Sequence, residues 1–102
     1  MAGFIKVAKV GDIAPGTIKG FIVGDRKVAI ANANGKFHAF EDRCSHAGSK
    51  LSTGLLLGNM IMCIAHGAQF DLETGKPLTM VAHDPVKVYA VKVEGDDILV
   101  DL

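Results

Sequence analysis

A chain of 102 residues and 10.7 kDa has the size of a single domain. It is 49% hydrophobic and 22% charged, with 11 basic and 11 acidic side chains, as in a soluble globular protein. This balance offers no broad attraction to nucleic acid or anionic lipid, so we expect neither as a partner. No apolar run approaches the roughly 18 residues of a spanning helix, and the first residues lack the apolar stretch of a secretory signal. We therefore expect a soluble cytoplasmic protein.

Both ends of the chain are rich in Val, Ile and Gly, which favours strands and tight turns over helices. The clearest signal is Asn34-Gly35, which supplies the positive φ angles of a type I′ hairpin turn. A second hairpin is predicted at residues 94–97, between the apolar runs Val86–Val93 and Ile98–Leu102. The other predicted strands in these parts of the chain are Phe4–Val10, Ile18–Val23, Lys27–Ala33 and Lys36–Phe40.

The middle of the chain, from Glu41 to about Pro85, is rich in Gly, Ser, Thr, His and Cys. Only Asn59–Ile64 and Gln69–Leu72 have strand character, and the apolar run 54–58 is too short for a stable helix. A long loop-rich segment in a compact domain is usually functional. The sequence therefore predicts one all-β domain over residues 1–102. Its antiparallel β base, residues 1–40 and 86–102, carries an inserted loop-rich subdomain of about residues 41–85.

Both cysteines and two of the four histidines lie in this insertion, as Cys44-x-His46 and Cys63-x-x-His66 with sixteen residues between the groups. Two loops could each offer one sulfur and one imidazole to a shared site. A disulfide would leave both histidines unused and is rare in cytosolic proteins. A structural zinc has a suitable ligand set, although zinc motifs commonly group like ligands together. A [2Fe–2S] cluster, with two cysteines on one iron and two histidines on the other, also fits.

The two groups at this separation resemble the Rieske family, and so does the run HGAQFD at residues 66–71, which continues to Thr74-Gly75. The similarity extends over essentially the whole chain. It implies a Rieske-like antiparallel β base domain with an inserted cluster-binding subdomain. It also implies one [2Fe–2S] cluster per chain as the cofactor.

The resemblance further implies a ligand set. Thiolates would hold the inner iron, and imidazole nitrogens near the surface would hold the outer iron, the ligands being Cys44, Cys63, His46 and His66. In the family the histidine-ligated iron is the one reduced, so an electron would enter and leave at an exposed tip. Two neutral imidazoles in place of two thiolates raise the reduction potential above that of an all-cysteine cluster.

Departures from the high-potential members of the family imply a low-potential type. Those members carry a second cysteine pair, but the matching positions here are Ser49 and Ala65. They also carry Ser and Tyr hydroxyls that donate hydrogen bonds toward the cluster, where this chain has Ala68 and Phe70. A membrane anchor is not expected either. Hydrogen bonds of that kind stabilise the reduced state, so we expect a potential near about −150 mV rather than about +300 mV.

The resemblance implies an electron carrier and not an enzyme. Such a protein takes one electron from an NAD(P)H-dependent flavoprotein reductase and passes it to a terminal oxygenase. Redox encounters of this kind use small, transient interfaces, which suit a monomer. Two alternatives stay open. One is a small Rieske subunit of a larger redox enzyme, of the nitrite reductase or arsenite oxidase type, and the other is a zinc-binding interaction module.

The remaining histidines are assigned no ligand role. His38 follows the Asn-Gly turn within a predicted strand and is expected to be structural. His83 lies in the segment 78–85, where related proteins have a Pro-rich loop over the cluster, and a solvated surface position is the favoured interpretation. Arg43, Lys50 and Met80 are candidates for the rim of the exposed tip, with ordinary surface or packing roles favoured.

Overall fold

The computed structural model describes residues 3–43, 51–63, 68–78 and 86–102. In these ranges the chain forms nine β-strands and two 3-10 turns, at Val10–Asp12 and Leu51–Thr53. No helix in the same ranges is long and apolar enough to cross a membrane. The strands are β1 (Phe4–Lys9), β2 (Ile18–Val23), β3 (Arg26–Ala33), β4 (Lys36–Glu41), β5 (Leu55–Leu57), β6 (Met60–Met62), β7 (Gln69–Asp71), β8 (Val88–Glu94) and β9 (Asp97–Asp101).

Six of these strands form one antiparallel sheet in the order β1-β9-β8-β4-β3-β2, which we call the base sheet. The predicted hairpin between β3 and β4 is confirmed: Asn34 and Gly35 have φ angles of 55° and 90°, and Ala33 pairs with Lys36. The second predicted hairpin joins β8 to β9. Predicted and observed strand ends agree to within two residues. The all-β antiparallel class is therefore confirmed.

A small sheet of three antiparallel strands, in the order β5-β6-β7, lies in the part of the chain predicted to be loop-rich. Strand β5 was not predicted, because a three-residue run between glycines shows no periodic pattern. It forms because Leu55, Leu56 and Leu57 pair in turn with residues of β6. Ile64, the last residue of one predicted strand, lies outside the described residues.

Strand β3, which lies between β4 and β2, is covered by apolar layers on both faces, so residues 28–32 are all buried. Successive side chains of a strand point to opposite faces. On one face, side chains of β3 pack with side chains from other strands of the base sheet, in an apolar layer that includes Val28, Ile30, Ala39, Ile98 and Val100. The other face packs against the small sheet, through Ala29, Ala31, Phe40, Ile61 and Phe70. An apolar layer, which we call the inter-sheet layer, therefore holds the small sheet on one face of the base sheet.

Candidate functional site

The structure describes one of the four predicted cluster ligands, Cys63. Cys44, His46 and His66 lie outside the described residues. Within the described ranges no group of three or more His, Cys, Asp or Glu side chains is placed to hold a metal ion. The four-ligand assignment therefore stays a prediction. The other predicted positions outside the described residues are Ser49, Lys50, Ala65, Met80 and His83.

Cys63 directly follows β6, and its side chain is buried in the inter-sheet layer with 1% of the residue exposed. Its backbone N–H donates a 2.7 Å hydrogen bond to the carbonyl oxygen of Ala68, which directly precedes β7. A backbone hydrogen bond therefore joins the two described residues on either side of the segment 64–67, which includes His66. Thiolates are the soft ligands that iron–sulfur clusters select. A buried thiol held at a strand end fits that role.

The described residues that flank the other two undescribed segments are also linked. The carboxylate of Asp42, before residues 44–50, accepts hydrogen bonds from the backbone and side chain of Ser52, after them. For residues 79–85, the N–H of Val86, which follows the segment, donates a 2.8 Å hydrogen bond to the carbonyl oxygen of Gly75, which precedes it. We had not predicted the Asp42–Ser52 contact. Its only sequence signal is a carboxylate and a hydroxyl at opposite ends of a loop-rich stretch.

The strand register brings the flanks of these segments to one end of the small sheet. Leu55 at the start of β5 pairs with Met62 at the end of β6, which pairs with Gln69 at the start of β7. The Leu78 N–H in turn donates a 2.7 Å hydrogen bond to the Gln69 carbonyl oxygen. The described residues Leu55, Met62 and Gln69 thus lie at the same end of the small sheet.

The described residues that cluster with Cys63 are apolar. Ala68 and Phe70 are both buried, and they share the inter-sheet layer with Cys63. Neither residue has a hydroxyl group, so neither can donate a side-chain hydrogen bond to a sulfur in this layer. Their positions are consistent with the expectation of a low reduction potential.

Arg43, the described member of the predicted tip residues, lines a surface cleft of about 560 Å³. The cleft walls also carry Lys27 and Lys87 together with Asp25 and Glu41. Burial and the nearby Glu41 carboxylate raise the pKa of Tyr89, which lines the same cleft. The mixture of both signs of charge selects no single class of ligand.

His38 lies in β4, as predicted, and only 7% of the residue is exposed. Its Nε2 atom is buried and has no hydrogen-bond partner among the described residues. Burial lowers the pKa of His38, and the charge of Lys36 lowers it further. The charges of Glu73 and Asp71 raise the pKa of His38, as does a side-chain hydrogen bond with Asn59, but they do not offset the lowering. The folded chain therefore holds this imidazole neutral more firmly than the unfolded chain does.

His38 gives the stability of the protein a pH dependence of known sign. The pKa of His38 is lower in the folded state than the value of about 6.5 in the unfolded state, so below this pH the unfolded state binds a proton more readily. The contribution of neutral His38 to stability is therefore fully present above about pH 6.5 and is lost as the pH falls below it. We expect the stability advantage of the wild type over His38→Gln to shrink from pH 7.5 to pH 5.5, by at most about 1.4 kcal/mol per pH unit. Urea unfolding of both proteins at the two pH values measures this. An advantage that does not change with pH contradicts it, because the carboxylates common to both proteins cancel.

Comparison with known proteins gives consistent matches. The model of the Rieske [2Fe-2S] domain matches residues 3–90. The ferredoxin component of biphenyl 2,3-dioxygenase from Rhodococcus jostii is 41% identical over 97 residues, which cover 95% of this chain and 91% of that protein. The ferredoxin subunit of 3-phenylpropionate/cinnamic acid dioxygenase from Escherichia coli is 45% identical over 76 residues, covering 74% of this chain and 72% of that protein.

Solved structures agree with these matches. The ferredoxin of carbazole 1,9a-dioxygenase from Nocardioides aromaticivorans superposes with a TM-score of 0.91 at 31% identity, covering 96% of both chains. The terminal oxygenase of the same system from that organism also matches, with a TM-score of 0.87 at 26% identity, but only 30% of its chain is covered. This chain therefore matches 96% of the length of that ferredoxin and 30% of the length of that oxygenase.

Proposed function

Because the chain belongs to the Rieske [2Fe–2S] family, we propose that it is a ferredoxin component that carries single electrons from an NAD(P)H-dependent flavoprotein reductase to a terminal oxygenase. It acts as a carrier and not as an enzyme. The observation that carries this proposal is the match over 96% of both chains to a ferredoxin of a dioxygenase system. A solved complex of reduced oxygenase and oxidized ferredoxin, from the carbazole system, contains a chain that matches this one with a TM-score of 0.88 at 34% identity.

The proposed cofactor is one cluster per chain, with Cys44 and Cys63 on one iron and His46 and His66 on the other. When bound, this group supplies a one-electron redox couple. The described part of the chain contributes a buried thiol at Cys63 and an apolar layer around it. Among the described residues, Ala68 and Phe70 of that layer add no side-chain hydroxyl to the surroundings of the thiol.

We propose further that residues 1–102 form one domain in which about residues 41–85 are the cluster-binding insertion, and that the protein is a cytoplasmic monomer. The small sheet, formed by β5, β6 and β7, falls within that insertion and packs on the base sheet through the inter-sheet layer. Contacts with the reductase and the oxygenase would be small and transient. The similar proteins named above support neither a nitrite reductase or arsenite oxidase subunit nor a zinc module.

Adding hydroxyl groups to the inter-sheet layer is expected to raise the reduction potential. The double substitution Ala68→Ser and Phe70→Tyr adds two donors to the layer that contains Cys63, and donors that bond to the cluster stabilise the reduced state. The wild type is expected near about −150 mV, and the double variant above it. Protein-film voltammetry at neutral pH measures both values. Phe37→Tyr, which adds a hydroxyl in the other apolar layer, is the control and leaves the potential unchanged.

A clearly positive wild-type potential would contradict the low-potential assignment. A double variant with the wild-type potential would show that these two side chains do not face the cluster.

The carrier function itself is tested by electron delivery. We expect the chemically reduced protein to be reoxidised when it is mixed, without air, with the terminal oxygenase of its own host. Stopped-flow absorbance in the visible range follows the reaction. The proposed function would be contradicted if the reduced protein stays reduced in this mixture and if, in a separate experiment, the oxidised protein receives no electron from flavoprotein reductases of the host.

A further inference from the structure

The side chain of Asp42 connects the two ends of the segment 44–50. Asp42 follows β4, and Ser52 lies in the 3-10 turn Leu51–Thr53 on the far side of that segment. Oδ1 of Asp42 accepts a 2.7 Å hydrogen bond from the Ser52 N–H, and Oδ2 accepts a 2.8 Å hydrogen bond from Ser52 Oγ. A single residue therefore engages both oxygens of this carboxylate.

The surroundings of the pair leave it little freedom. Asp42 is only 5% exposed, and its N–H donates a 3.0 Å hydrogen bond to the Lys27 carbonyl oxygen. Leu51, next to Ser52, is fully buried in the inter-sheet layer that also holds Cys63. On β2, a Cβ atom at Gly20 would lie 2.7 Å from Asp42 Oδ2 and 3.0 Å from Ser52 Oγ. Only a residue without a side chain leaves room for this contact.

The other two segments are linked differently at their flanks. Backbone hydrogen bonds connect Cys63 to Ala68 and Val86 to Gly75. Most side-chain substitutions leave such bonds in place, because the backbone supplies both donor and acceptor. Among the described flanks, the link across residues 44–50 is the one that depends on a side chain at each end.

We propose that Asp42 is a positioning residue for the cluster. By accepting hydrogen bonds from Ser52, it holds together the two flanks of the segment that carries Cys44 and His46. The inference rests on the proposed function, because these two residues are the predicted ligands of that segment. Cys44 follows Asp42 by two positions, so loss of the carboxylate contact releases the chain next to a ligand. Its partner Ser52 is held by Leu51 to the same apolar layer as the Cys63 thiol.

The test compares variants of the iron-loaded protein. Asp42→Ala and Ser52→Ala remove the contact, whereas Asp42→Asn keeps an acceptor for the Ser52 N–H and offers a donor to Ser52 Oγ. Asn32→Ala is the matched control. It removes a side chain that is 4% exposed and that bonds to the Ile13 carbonyl oxygen at 2.9 Å and the Gly35 N–H at 2.7 Å in the base sheet.

We expect a chelator to remove iron at least about tenfold faster from Asp42→Ala and Ser52→Ala, and within about threefold of the wild-type rate from Asp42→Asn. The EPR g values of the reduced protein shift in the first two variants. Asn32→Ala lowers the melting temperature but keeps the wild-type g values and an iron-loss rate within about twofold of the wild type. Visible absorbance, EPR and circular dichroism provide these readouts.

Wild-type g values and iron-loss rates in both Asp42→Ala and Ser52→Ala would overturn the inference and leave the proposed function intact. Equal acceleration in Asn32→Ala would also overturn it, because global stability would then explain the effect. Ser52→Ala, the milder change, keeps the test decisive if Asp42→Ala does not fold. A wild-type protein that binds no iron would overturn both the inference and the proposed function.

Discussion

Replacing Cys63 with serine is expected to abolish iron binding while the β-sheets remain folded. Cys63 is buried at the end of β6, and serine has nearly the same shape. An alcohol is a far poorer ligand than a thiolate for the irons of such a cluster. The substitution itself costs a buried hydroxyl, about 1–3 kcal/mol if it finds no partner, and loss of the cluster removes the stability that its binding contributes. Iron content, visible absorbance and far-ultraviolet circular dichroism measure the two effects separately.

Leu72→Ala is the control for this prediction. Leu72 belongs to the same inter-sheet layer and is 3% exposed. Its truncation is expected to cost about 2–5 kcal/mol of stability and to leave the iron content unchanged. If Cys63→Ser retains iron with the wild-type visible spectrum, Cys63 is not a ligand and the proposed ligand set is wrong.

Gly75→Ala is expected to destabilise the protein by about 2–5 kcal/mol. Gly75 is buried with a φ of 78°, a conformation that costs L side chains about 1–2 kcal/mol. A Cβ at this position would also overlap the carbonyl oxygen of Val86, whose N–H donates a hydrogen bond to the Gly75 carbonyl. The flanks of residues 79–85 would then separate. Urea unfolding followed by circular dichroism measures the loss.

Gly58→Ala separates the two causes. Gly58 lies in the turn between β5 and β6 with a φ of 61°, and a Cβ there would meet no atom within 4 Å. It is expected to cost only the conformational part, about 1–2 kcal/mol. Equal losses in the two variants would show that the close approach of Val86 has no energetic weight.

The parts of the fold that depend on local sequence could be predicted. The Asn34-Gly35 turn and its two strands are set by residues adjacent in sequence, because positive φ angles and alternating apolar side chains are local properties. Strand β5 could not be predicted in this way. Its three residues carry no pattern of their own, and pairing with β6 decides their conformation.

The candidate site likewise contains residues that the sequence suggests and contacts that only the folded chain brings together. Spacing and residue type predict Cys63 as a ligand, and that role stays a prediction; the structure shows that the residue is buried directly after β6. The contact between Asp42 and Ser52 was not predictable, because neither residue type is unusual in a polar loop and only the folded chain brings them together. The pKa of His38 likewise follows from burial that no local pattern reveals.

The central claim is that this chain carries a histidine-ligated [2Fe–2S] cluster for electron transfer. EPR spectroscopy of the dithionite-reduced protein, purified without air, tests it most directly. We predict a rhombic signal whose average g value is distinctly below that of all-cysteine [2Fe–2S] ferredoxins. Protein that contains stoichiometric zinc, lacks iron and gives no EPR signal would contradict the claim and select the zinc-binding alternative.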